Sequence, residues 1–458
     1  MAESMRQRLE RAEDERLAPY ALRSRDATRR YRVQDDGRAF DYRSQFQRDR
    51  DRIVYSRAFR RLRQKAQQGI LPAYEDHRRN RLTHTLEVTQ LARTVGRALG
   101  LNEDLIEAIA LGHDLGQPAF GAAGERALDD LLSGRLDGRS GAGLGDVGGF
   151  RRAWQSLRVV DLIEKRYAHP GLNLTDPVRE GIFKSGVDAR LPDDVPTGLR
   201  EGLPPLFEAQ TVLLADRIAG AVHELDDALQ SGALDLQEVE RLSAVERLRG
   251  KLGPAYPARG GRFMRVNSIH RGLIHMLVTA AVLASARCLG RWTERHGVRS
   301  PAEFLALRDE RVGGTEVDLS GPGRGMLEEI ESRLEARVRR TQSADRVGSR
   351  GRHVLLGLFG AYWADPLLLE DHVLLRFKET ARVRFLRDLP REALELEIER
   401  RYRTSPRFVR LLADHLASMT DTYALAEHRR LMEMGAVPIP GAERLRRERN
   451  GSAGSPAD

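Results

Sequence analysis

Cysteine is almost absent from this chain: Cys288 is alone among 458 residues. An internal disulfide framework is therefore excluded, as is a cysteine-rich zinc or iron–sulfur site, and a reducing compartment becomes the default. Lysine is nearly as scarce, standing only at 65, 165, 184, 251 and 378. The basic character is thus carried by arginine, the better bidentate clamp for phosphate, although a biased genomic base composition produces the same excess. Aromatics make up 6%, and alternating apolar segments bounded by turns are few, so the usual signals of a sheet protein are missing. No apolar run reaches the roughly 18 residues of a membrane span. The longest, Gly272 to Ala286, is interrupted by His275, Thr279 and Ser285 and reads as a buried helix. The opening MAESMRQRLERAEDERLAPY has no apolar h-region, which argues against a signal peptide. The expectation is a soluble, cytoplasmic protein without a membrane partner.

What is present points to a large helical protein. A hydrophobic content of 41% is enough for a sizeable core, as one domain or two interlocked ones. Lys and Arg number 76 against 67 Asp and Glu, a net charge of +9, which suits an anionic ligand without requiring nucleic acid. Helical periodicity runs nearly throughout, which predicts an all-α fold. Residues 1–35 are charged and weakly periodic, an arm expected to be mobile or to dock on a partner subunit. The stretch Ser133 to Gly149, SGRLDGRSGAGLGDVGG, predicts a flexible loop between helices. Breakers between Gly250 and Gly261 mark a second boundary, and the segment from Gly441 onward is a polar tail.

The chemistry gathers on three helical stretches. His84, Val88, Leu91 and Val95 recur at i, i+4, i+7 and i+11, which places His84 on an inward face, as either a hydrogen-bonded core histidine or a ligand. The next helix is capped by Asn102, and its Leu105, Ile109 and His113 share a face, with Asp114 alongside. Burying Asp114 without a cation or strong donors is expensive, which makes a metal attractive. Further on, Asp216, Gly220, His223 and Asp227 share a stripe that is either a third inward contribution or a solvated face. Two His and two Asp form a mixed nitrogen and oxygen donor set suited to Mg²⁺, Mn²⁺, Fe²⁺, Ni²⁺ or Zn²⁺, and such a site activates water and polarises a phosphoryl oxygen.

At these residues the chain resembles the HD-domain phosphohydrolases, and specifically the bacterial deoxyguanosinetriphosphate triphosphohydrolase-like family, over roughly Tyr42 to Leu431. The stretches that carry the resemblance include FQRDRDRIVYSRAFRRLRQKAQ (46–67), RNRLTHTLEVTQLARTVGRALGLNEDLIEAIALGHDLG (79–116), FGAAGE (120–125), EAQTVLLADRIAGAVHELDDAL (208–229) and MTDTYALAEHRRL (419–431). It implies a helical bundle, with an HD core over 36–250, a helical C-terminal region over 251–440 packed on that core, and a disordered tail over 441–458. It implies a symmetric, homo-oligomeric assembly. It also implies that His84, His113, Asp114 and Asp216 are the metal quartet, that Arg81 contacts a triphosphate, that Gln67 bonds the sugar 3′-hydroxyl, and that Glu125 is the catalytic carboxylate that orients a histidine or water. The reaction implied is attack of water on the α-phosphorus of a deoxynucleoside triphosphate, releasing nucleoside and tripolyphosphate.

The departures fall on the substrate side. Family members usually read HDLGHPPFGHAGE where this chain reads HDLGQPAFGAAGE, so Gln117 and Ala122 replace histidines, the second of them the family's catalytic one. GGFEHNxQSLR becomes GGFRRAWQSLR, which puts Arg152 at another active-site histidine. Gly220 replaces a tyrosine, and Gln68 a small apolar residue that crowds a 2′-hydroxyl. Two readings follow: a metal-dependent nucleotide phosphohydrolase with weakened or altered activity, or a catalytically impaired nucleotide-binding regulator or hetero-oligomer partner. A third, nucleic-acid binding by the arginine-rich surface, has less behind it.

Overall fold

The computed structural model describes residues 4–31, 42–67, 79–135, 147–184, 199, 203–308 and 314–432. Among them there is no strand, only isolated bridges pairing Arg29 with Thr175, Ala66 with Asn80 and Lys165 with Gly171, and the all-α expectation holds.

Local sequence sets the helix starts around which the rest assembles. Asn80 caps helix Arg81–Ala98, accepting from the Thr83 backbone N–H while the Thr83 side chain reaches back. Asn102, the cap expected from sequence, accepts from the N–H groups of Asp104 and Leu105 and opens helix Glu103–Gly112. Each such cap stabilises its helix by about 1 kcal/mol. Helix Glu103–Gly112 is central: Leu105, Ile106, Ala108 and Ile109 are all buried, enclosed by helices Gln45–Val54, Arg81–Ala98, Asp176–Lys184 and Phe207–Gln230. Gly96 permits the close crossing with Arg81–Ala98, because a Cβ there would meet Ile106 Cδ1 at 2.1 Å.

The apolar interior falls into two clusters, and neither boundary lies at residue 250. The first runs from Leu17 to Leu334. The Pro and Gly breakers before Arg262 only turn the chain, so helices Arg262–His296 and Gly321–Leu334 return to pack on Phe207–Gln230. The second cluster joins Leu128, Leu355, Phe359, Phe377, Phe408 and Leu412, from helices Gly121–Leu132, Gln342–Ala364, Asp371–Ala381 and Pro406–Ser418.

Two sequence expectations change here. The apolar helix is longer than expected and only half buried: Leu273, Leu277, Ala281 and Leu289 face the core, while Leu283 is 55% exposed. Its length and composition would suffice to cross a membrane, yet its inward face is occupied by four neighbouring helices, Arg81–Ala98, Phe207–Gln230, Ser243–Leu252 and Gly321–Leu334. The N-terminal arm, as far as it is described, docks on its own chain. Leu17, Ala21 and Leu22 enter the first cluster, Glu13 accepts from the Ser24 N–H and hydroxyl at 2.9 Å, and the Leu22 N–H donates to Glu208 at 3.0 Å. Most of the glycine-rich loop (136–146) and the whole tail lie outside the described residues.

A buried ion pair joins the two clusters. Arg158 donates to both Asp414 oxygens, at 2.9 and 2.7 Å, and Gln155 adds a third bond at 3.1 Å. Burial by itself would raise the Asp414 pKa, but the Arg158 and Arg376 guanidinium groups outweigh it and hold the carboxyl below its ordinary value. The folded-state pKa therefore lies below the unfolded one, near 3.9. The stabilisation is complete above the unfolded value and is lost as pH falls through the folded one. Removing one partner strands a buried charge, so Asp414→Ala is expected to lower unfolding free energy by about 3–5 kcal/mol at neutral pH. The gap to wild type should shrink in acid, both effects being read from urea denaturation at a series of pH values.

Candidate metal centre

His84 sits one turn into helix Arg81–Ala98, and His113 closes helix Glu103–Gly112 as its C-cap. The turn that follows lies flat against helix Arg152–Arg158. A Cβ on Gly116 would meet the Ser156 nitrogen at 2.1 Å, while the Ser156 hydroxyl accepts from the Gly116 N–H and donates to the His113 carbonyl, each at 2.9 Å. Asp216 comes from helix Phe207–Gln230, which packs on both histidine helices.

The side chains converge. One donor atom from each of His84, His113 and Asp114 lies within 4.8 Å of the others, and all three residues are buried. Asp216 Oδ1 is 3.0 Å from His84 Nε2 and 3.6 Å from His113 Nε2. The His113 tautomer is fixed by an Nδ1–H bond to the Ala110 carbonyl at 2.6 Å. Its buried Nε2 has no hydrogen-bond partner among the described residues. An orphaned, inward nitrogen beside two carboxylates fits a divalent cation.

The electrostatics follow from burying two carboxylates together. For Asp114 desolvation alone would raise the pKa, but His113, Arg81 and Arg152 outweigh it and hold the group well down. Asp216 is likewise depressed against its burial by His113 and His84. Burial resists a charge on His113, yet the two acids push its pKa up to about 9. For His84 burial wins, and its pKa is lowered despite Asp216.

The substrate-side residues show a mixed picture. Arg81 is taken up by the protein itself: it donates to Asp114 Oδ2 at 2.9 Å and to the carbonyls of Ala66 and Gln67 at 3.2 and 3.1 Å. Arg152 spans the acids, 3.2 Å from Asp114 Oδ1 and 3.6 Å from Asp216 Oδ2. Glu125 accepts from the Arg152 backbone N–H at 2.8 Å, so it anchors the residue that faces the acids. Ala122, one turn earlier, is exposed. A Cβ on Gly220 would meet nothing within 4 Å, so there is open space beside that position. Gln67 and Gln117 each keep a buried Oε1 without a partner among the described residues. Gln68 lies outside them.

Sequence reading missed the residues that hold this cluster. Lys65, fully desolvated and lowered to about 7, donates to the carbonyls of Gln117 and Ala417. Asp421 accepts from the N–H groups of Ala66 and Phe120, both at 2.9 Å. Phe120 adopts the left-handed conformation at φ 64°, strained for a side chain of its size, and there it opens the helix that carries Ala122 and Glu125. The one available signal for Lys65 was its rarity as a lysine. His223, noted only as part of the Asp216 stripe, touches His84 directly, its Nδ1 3.1 Å from that of His84.

Comparison with known proteins agrees with this geometry. Residues 81–221 match the HD domain and residues 383–430 the phosphohydrolase-associated domain. A deoxyguanosinetriphosphate triphosphohydrolase-like protein of Azoarcus sp. (strain BH72) is 36% identical over 92% of this chain and 98% of its own length. Proteins of the same description from Syntrophus aciditrophicus (strain SB) and Ralstonia pickettii (strain 12J) are each 35% identical over 92% of the chain, covering 94% and 96% of their own lengths.

The purified protein is expected to carry about one divalent metal ion per chain, as a four-donor site of this kind would hold. An Asp114→Ala, Asp216→Ala double variant should carry essentially none. Elemental analysis of both proteins decides this, and equal metal content would place the ion elsewhere.

Proposed function

Because the chain belongs to the deoxyguanosinetriphosphate triphosphohydrolase-like family of HD-domain phosphohydrolases, we propose that it hydrolyses a nucleoside triphosphate at the α-phosphorus to nucleoside and tripolyphosphate, with a slower chemical step than relatives that keep the family histidines. The observation behind this reading is the convergence of His84, His113, Asp114 and Asp216 beside a half-exposed guanidinium, Arg152. A divalent cation held by those four side chains would polarise a phosphoryl oxygen and offset the charge that builds on it.

The protein's own groups then divide the remaining work. Arg152, the cationic side chain that retains solvent contact beside the acids (32% exposed), presents a planar donor fork to phosphate oxygens. Arg81 and the two histidines hold the carboxylates in place and leave little freedom for reorganisation, which is the form of electrostatic stabilisation that works best in a dry site. Glu125 orients the start of helix Arg152–Arg158 through its bond to the Arg152 N–H and is the carboxylate assigned to take a proton from attacking water. At Ala122 there is no proton carrier at all. General acid–base assistance is worth about 10²–10⁴-fold, so turnover falls while phosphate binding persists.

The bridging of both acids by Arg152 also favours a second reading, a nucleotide-binding regulator that does not turn over, either alone or as a hetero-oligomer partner. A soluble, cytoplasmic homo-oligomer is part of the first reading, supported by the family resemblance.

Restoring the histidines with Ala122→His and Arg152→His together is expected to raise tripolyphosphate release by about 10²-fold, the lower end of the acid–base contribution. Chromatography of deoxynucleoside triphosphate digests measures it; no product from either protein, with nucleotide binding intact, would favour the regulator instead. The open space at Gly220 predicts weak discrimination between matched ligands such as GTP and dGTP. Calorimetric titration should show Gly220→Tyr, which restores a ring at that wall, sharpening the preference for the deoxy member by about 1 kcal/mol, the scale of a small steric difference in a pocket.

A further inference from the structure

The outer edge of the His84 ring carries a second set of contacts that the metal quartet does not use. His84 Nε2 faces Asp216, while its Nδ1 lies 3.1 Å from Nδ1 of His223. The two rings meet edge to face at 5.3 Å, and both residues are 1% exposed. On the far side of His223, Nε2 is 2.5 Å from Glu87 Oε2. Glu87 is in turn 3.4 Å from Arg79 Nε, and Arg79 is anchored on Asp226 at 2.6 Å and Asp227 at 3.2 Å. Glu87 follows His84 by one turn of its helix, as His223 follows Asp216 by two turns of the facing one. Each helix thus supplies one member of the quartet and one residue behind it.

A nitrogen-to-nitrogen contact between two imidazoles holds a single proton, so only two arrangements exist. If His223 donates, neutral His84 keeps its proton on Nε2 and cannot offer a lone pair to a metal. If His84 donates, its Nε2 is free to coordinate. The Glu87 carboxylate beside His223 Nε2 favours a proton there, which leaves the His223 Nδ1 as the acceptor and selects the second arrangement. We infer that His223, backed by Glu87, is a positioning residue that fixes the His84 tautomer competent to bind metal. The inference rests on the metal-centre reading above and adds to it the pair of groups that keeps the centre ready.

Metal affinity provides a test that does not depend on turnover. The full-length protein, stripped of metal, is titrated with Co²⁺ by calorimetry and by visible absorption. His223→Ala and Glu87→Ala are expected to weaken binding by about 10–100-fold, as loss of groups behind a metal ligand generally does, and to alter the Co²⁺ bands. His223→Asn, whose amide oxygen can still accept from His84 Nδ1, and Glu87→Gln, which keeps an acceptor beside His223, should recover most of that loss. A purely space-filling role would give no such recovery. Should His223→Ala fail to fold, Glu87→Ala carries the test, since that side chain is 42% exposed. Binding within about twofold of wild type by both alanine variants, with unchanged bands, would overturn the inference while leaving the centre standing. Failure of the wild type to bind Co²⁺ would remove the centre and this inference together.

Discussion

Two carboxylates, Asp114 and Asp216, share one largely desolvated site, and the surrounding structure is organised to make that tolerable. Ionised acids in a dry interior cost several kcal/mol each unless they are paired and hydrogen-bonded. The chain meets the requirement with four side chains from three directions: His84 and Arg81 on one helix, His113 beside Asp114 itself, and Arg152 from across the turn. Each of these must arrive at a fixed distance, which is why the helices around Glu103–Gly112 cross so closely and why glycine stands at 96 and 116, where any side chain would collide.

The same constraint gives Arg152 its structural part in the centre. Arg152 adds a permanent positive charge directly opposite the acids. That charge stabilises the carboxylates and persists at every ordinary pH, because a guanidinium does not deprotonate in proteins.

The centre is also a junction between the two apolar clusters. Lys65 and Asp421 tie the segments around Ala66 and Gln117 to the C-terminal helices, and Arg158 with Asp414 repeats the arrangement a short way off. The C-terminal helices therefore act as the outer wall that holds Phe120 in its strained conformation and aims the helix bearing Glu125. Disturbing that wall reaches the site without touching a ligand.

Much of this was legible in the residues. Periodicity of 3.6 gave the helices and their inward faces, Asn102 announced its helix start, and His84 and His113 lay on those faces at spacings that survive any detail of packing, whereas the face taken by Asp216 stayed open. These are local properties, fixed by side-chain chemistry within a few turns of chain. What the sequence could not reveal depends on which helices meet. The arm docked on its own core, the helix Arg262–His296 left one face open, and His223 turned from one member of an ambiguous stripe into the neighbour of His84. Contacts such as those of Arg81 with Ala66, Lys65 with Ala417 and Arg158 with Asp414 join residues from 15 to 352 positions apart. Only burial, which forces each polar group to find a partner wherever the folded chain places one, decides them.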